Sequence, residues 1–103
     1  MTTVFLSTVP PLTLCVRGHA TGSEEVCAAV SALCYTLCAW LDEHRVPHER
    51  LFESGFAHVT CPARSTCPAA AGAAATAFEV VKSGFSLLAS VFPQQVRLTE
   101  AGE

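Results

Sequence analysis

His19 and Cys27 stand with seven residues between them in the stretch RGHATGSEEVCAAVSAL, residues 17–33. An imidazole and a thiol are the pair that nucleophilic acyl transfer needs, because the ring can take the thiol proton and later protonate a departing amine. The residues between them are turn-like, and an apolar pattern of helical period follows, which sets Cys27 in the first or second turn of a helix. There the positive end of the helix dipole and its unpaired N–H groups favour a thiolate and donate to an oxyanion developing on a bound carbonyl. Gly18 and Gly22 permit a close approach of backbone to substrate. Glu24 and Glu25 work the other way, since negative charge in the first turn opposes the dipole. On spacing alone a plainer reading stands beside the catalytic one, with Cys27 a small core residue and His19 a turn residue.

The elements that must position this pair follow from periodicity. Thr2 to Val9 and Leu12 to Val16 are β-branched and aliphatic runs joined through Pro10-Pro11, which reads as two strands and a tight connection. Gly18 to Ser23 breaks the pattern. From Glu24 to about His44, Val26, Cys27, Val30, Leu33, Cys34, Leu37, Cys38 and Leu41 recur at helical intervals, with Ser23 or Thr21 as a cap and Pro47 as the stop. Within Glu49 to Cys61 the run GFAHVTC alternates like a strand, Phe56 and His58 on one face and Ala57 and Val59 on the other, and Pro62 ends it. CPARSTCP reads as a loop. Ala69 to about Val91 predicts a second long helix buried through Phe78, Val81, Phe85 and Leu88, and Gln95 to Thr99 a final strand. The expectation is an α/β (α+β) fold in one domain, residues 1–103: a two-layer sandwich in which two long helices cover a four- to five-stranded sheet, mixed or mostly antiparallel.

Composition narrows the function classes. Half of the 103 residues are hydrophobic and 15% are charged, the profile of a packed domain. With a net charge of -3 and six Lys plus Arg scattered singly, no basic stripe is present to neutralise phosphates, so neither direct nucleic-acid binding nor an anionic membrane surface is expected. Polar residues or prolines divide every apolar run before it reaches roughly 18 uninterrupted residues, so no membrane span is expected either. The apolar start lacks Lys or Arg before Arg17 and reads as mature structure, not an export signal. Six cysteines in such a chain are expected to be reduced thiols in the cytosol. Cys34 and Cys38 suit core packing among Ala, Leu and Val, Cys61 and Cys67 are too far apart for a metal knuckle, and Pro47 separates His44 from His48, which read as surface residues. No metal and no cofactor is therefore expected. Tyr35 and Trp40 read as packing or dimer-contact residues, and Trp40 with Phe52 as apolar surface that a second copy would cover.

The particular letters carry more than the spacing. GHA at Gly18 to Ala20, then Gly22 and VCAAVSAL at Val26 to Leu33, resemble the two signature blocks of the ribosomal-processing cysteine protease family, Prp. The later GFAHV, SGFSLLASVFP and QQVRLTE are similar to its remaining elements in pattern, so the resemblance covers nearly the whole chain. It implies a cytoplasmic bacterial endopeptidase, usually dimeric, that removes an N-terminal extension from a large-subunit ribosomal protein through a Cys/His dyad and an acyl-enzyme. The family's catalytic histidine falls on His19, its nucleophile on Cys27, the glycine before the histidine on Gly18 and the helix serine on Ser31, with Ala20 and Gly22 in supporting places. Glu24 stands where the family has aspartate, and the loop from Ala20 to Val26 is several residues shorter than usual. The alternative is a non-catalytic, ribosome-associated binding protein of the same fold.

Overall fold

The computed structural model describes residues 1–18, 24–61 and 68–101. Seven elements follow in order: β1 (Thr2–Ser7), β2 (Leu12–Arg17), α1 (Glu24–Glu43), β3 (Glu49–Glu53), β4 (Phe56–Cys61), α2 (Pro68–Val91) and β5 (Val96–Ala101). The five strands form one mixed sheet in the order β3-β4-β2-β1-β5, antiparallel throughout except that β5 runs parallel to β1. The expected two-layer α+β arrangement is therefore present.

Both helices lie on one face of the sheet for a topological reason. From β2 the chain crosses through α1 to β3, and from β4 it crosses through α2 to β5; each connection joins parallel strands. The two crossings travel in opposite directions along the sheet and leave strands of opposite polarity, so right-handed connections put both helices on the same side. The burial alternation agrees: Val4, Leu6, Leu12, Leu14, Val16, Ala57, Val59 and Cys61 are buried, while Phe5, Arg17 and Leu51 stay at the surface. Onto this face α1 lays Val26, Val30, Cys34, Leu37, Cys38 and Leu41, and α2 lays Phe78, Val81 and Phe85. By length and composition each helix could also cross a membrane, but these buried stripes give both a place in the sheet's own core. The helices meet closely at Gly84, where an added Cβ would lie 2.7 Å from Leu33 Cδ2.

Several boundaries differ from the sequence expectations, each for a local reason. β1 stops at Ser7, two residues short of Val9, because the Ser7 hydroxyl donates to the Val9 carbonyl at 2.8 Å and accepts from the Val9 N–H at 3.3 Å, turning the chain out of the sheet. α1 ends before Pro47 acts. Arg45 takes the left-handed conformation with φ 54, and its N–H and that of Val46 reach back to the Asp42 and Leu41 carbonyls at 3.1 and 2.9 Å. This is a Schellman ending with buried Val46 packed at the helix's last apolar turn, and arginine occupies the position that glycine usually fills. The expected caps Thr21 and Ser23 lie outside the described residues.

The segment before GFAHV is a strand of its own. β3 pairs antiparallel with β4, the two joined through Gly55 at φ 73. The connection from α1 into β3 is also more ordered than two surface histidines suggest. The His48 ring is only 8% exposed; its Nδ1–H donates to the Val46 carbonyl at 2.9 Å and its Nε2 lies 3.6 Å from Asp42 Oδ1. Asp42 also accepts from Arg50 at 2.9 Å, so one carboxylate on α1 holds both the approach to β3 and the strand itself. His44 is exposed as expected, stacked on Trp40 with ring centroids 4.0 Å apart.

Candidate functional site

Cys27 sits in the first turns of α1, exposed, with a free thiol. It opens on a cleft of about 230 Å³ between α1 and the β3–β4 hairpin. From α1 come Cys27, Val30, Ser31, Cys34 and Tyr35, a ladder of three- and four-residue steps that follows from helical geometry. The opposite wall is the hairpin from Phe52 to Ala57, and the floor is Thr2, Val16 and Gly18. Tyr35 and Phe52 meet across one end with ring centroids 5.2 Å apart and planes tilted by 45°.

Gly18 is where the floor meets the hairpin. Its N–H donates to the Gly55 carbonyl at 2.8 Å, and its φ is 88. A Cβ there would collide with the Met1 carbonyl oxygen. Only glycine fits both demands, and the chain leaves β2 at this point toward residue 19.

Of the residues singled out in the sequence, Gly18, Cys27 and Ser31 come together in this cleft. Glu24 is exposed in the first turn of α1 and is not among the cleft-lining residues. His19, Ala20 and Gly22 lie outside the described residues, as does Cys67. Cys34 and Cys38 are both buried, as core packing predicts, but Cys34 also lines the cleft. Sequence reasoning missed the aromatic end of the cleft: Tyr35 and Phe52 are 17 residues apart and meet only because β3 folds back beside β4. Trp40 and Phe52, expected as apolar surface, are half-buried against the core; among the described residues the exposed large apolar side chains include Tyr35 on α1, Phe5 and Leu51 on the open sheet face, and Val80, Leu87 and Val91 on α2.

Burial changes the chemistry of the core thiols. Desolvation pushes the Cys34 thiol from an ordinary 9.0 up to about 12, with the neighbouring Cys38 adding to it, and pushes Cys61 up to about 11. Cys38 is also raised by burial, against the opposing effect of the Arg50 guanidinium, which donates to it. These thiols stay neutral, and of them Cys34 brings its uncharged group to the cleft wall. The fold retains their protons where the unfolded chain releases them, so their stabilising contribution is complete below pH 9.0 and is lost as pH rises toward 11 and 12. Urea midpoints should therefore fall steadily above pH 9, each thiol steepening the loss by up to about 1.4 kcal/mol per pH unit. In a Cys34→Ala/Cys61→Ala variant the alkaline slope should flatten; an unchanged slope would show that other groups cause it.

Fold and cleft together define an α+β domain that presents an exposed thiol at the start of a helix, beside a trough large enough for a side chain. Crystal structures of the essential ribosomal processing protease Prp from S. aureus share this fold. The one with a covalently linked product peptide aligns with a TM-score of 0.77 and 15% identity, and the one with a substrate peptide with 0.75 and 14%; both cover 97% of this chain and 99% of that one. SMU.848 from Streptococcus mutans aligns with a TM-score of 0.68 and 23% identity over 96% of this chain and 94% of its own. No protein-family model and no curated protein matches the sequence.

Proposed function

We propose that this protein is a cysteine endopeptidase of the Prp kind, which removes an N-terminal extension from a large-subunit ribosomal protein in the cytoplasm, as a homodimer. The observation that carries the reading is Cys27, exposed at the start of α1 and facing a cleft, on the fold of proteases crystallised with substrate and product peptides. His19 follows Gly18, which lines the same cleft. In the reaction the Cys27 sulfur attacks the scissile carbonyl carbon and an S–C bond forms. Negative charge moves to the carbonyl oxygen, where N–H groups at the start of α1 stabilise it. His19, having taken the thiol proton, delivers it to the nitrogen as the C–N bond breaks. Water then cleaves the thioester, with His19 as base, and restores the thiol.

Incubation of freshly reduced protein with the extended ribosomal protein of its own organism should yield one shortened product, its new N-terminus read by mass. Binding without shortening would favour the non-catalytic reading and overturn this one.

A further inference from the structure

We propose that Tyr35 and Phe52 form the end wall of a side-chain pocket that begins at Cys27, and that this wall sets the largest residue accepted immediately before the cut. The inference rests on the protease reading and names the specificity-determining residues of the same site.

The trough runs along α1. At about 1.5 Å per residue, Tyr35 lies about 12 Å beyond Cys27 along the helix, with Ser31 and Cys34 on the way. That length suits one large side chain of an acyl group held on the Cys27 sulfur, with little to spare. The volume agrees, since about 230 Å³ falls below the roughly 300–1,000 Å³ of pockets for whole small ligands. Val16, Val30, Cys34, Phe56 and Ala57 give it apolar walls, while Thr2, Ser31, Glu53 and Ser54 are polar members of the lining.

The end is closed by contact between two elements. Phe52 pairs with buried Ala57, so its side chain faces the helices, and Tyr35 comes from α1 one residue past Cys34. Their rings meet at 5.2 Å, within the range of favourable aromatic pairs. Tyr35 is 60% exposed, so its ring covers little core and can be removed without collapse. Shortening either ring would lengthen the trough.

The experiment uses peptides that differ only in the residue before the cut: Ala, Leu, Phe, Trp and naphthylalanine. Cleavage by the wild type should fall about tenfold or more from Phe to naphthylalanine, the discrimination a hydrophobic pocket achieves for a modest excess of carbon. Tyr35→Ala and Phe52→Ala should raise the ratio of naphthylalanine to Phe cleavage by about tenfold, and Tyr35→Phe should leave it unchanged because the wall is steric. The same peptides are titrated onto Cys27→Ala and Cys27→Ala/Tyr35→Ala, where binding reports pocket size without turnover. An unchanged size ranking in Tyr35→Ala and Phe52→Ala, with the wild type cleaving the Phe peptide, overturns the wall and leaves the protease reading standing. If the wild type cleaves none of the peptides, the protease reading falls, and the binding ranking alone decides the wall. Loss of both cleavage and binding overturns both.

Discussion

Cys27→Ala should abolish cleavage while leaving the fold and peptide binding in place. In the proposed reaction this thiol forms the bond to substrate, and the other cleft thiol cannot replace it, because Cys34 is buried and pushed up to about 12. Removing a nucleophile of this type costs on the order of 10⁴-fold or more in turnover. Because Cys27 is exposed, the exchange empties no part of the core and stability should stay within about 0.5 kcal/mol of wild type. Mass analysis of the substrate N-terminus and a thermal melt read the two halves separately. Substantial turnover by Cys27→Ala would remove the residue from the chemistry, and a large drop in melting temperature would make it a structural one.

Gly18→Ala should damage stability and turnover together. A φ of 88 is costly for any residue with a Cβ, and that Cβ points at the Met1 backbone carbonyl, which cannot swing away as a side-chain tip can. Strain and displacement together should cost about 2–4 kcal/mol. Relief of the clash moves the end of β2 and with it the hydrogen bond to Gly55, so the hairpin wall shifts relative to Cys27. A displacement of about 1 Å between reacting groups costs on the order of 100-fold, and kcat/KM should fall by at least that much even where the variant is fully folded. Normal kinetics in folded Gly18→Ala would show that the geometry at this glycine does not set the site.

The helices were legible in the sequence because each carries a long apolar stripe of one period, and a stripe of that length admits few other readings. The strands β1 and β2 were legible as β-branched and aliphatic runs on either side of Pro10-Pro11, and β4 by its alternation of buried and open positions. β3 was not, since ERLFE at Glu49–Glu53 turns only Phe52 and Arg50 toward the helices, and one of those is charged. An edge strand with so little to bury leaves almost no periodic signal. Its absence from the reading hid the cleft wall, because Tyr35 has no visible counterpart until β3 returns beside β4. Cys27, Ser31 and Gly18 were marked by residue type and by family likeness, both of which survive in a linear string. The burial of His48 was not, because it depends on Asp42 reaching across the end of α1. The parallel pairing of β5 with β1 depends in turn on the whole length of α2.

That pairing bears on how the molecule comes into being. Val4 at the centre of the core strand β1 lies beside Leu98, so β1 waits for the later β5 before that edge is hydrogen-bonded. Lys82 and Glu100, 3.6 Å apart, fasten the late strand to α2 only then. A nascent chain still holding β5 within the ribosome tunnel has α1 and its thiol already exposed, but lacks the strand that backs β1 and Thr2 on the cleft floor. The surroundings of the Cys27 thiol are therefore complete only once β5 has paired with β1, so translation and the closing of the sheet are ordered in time.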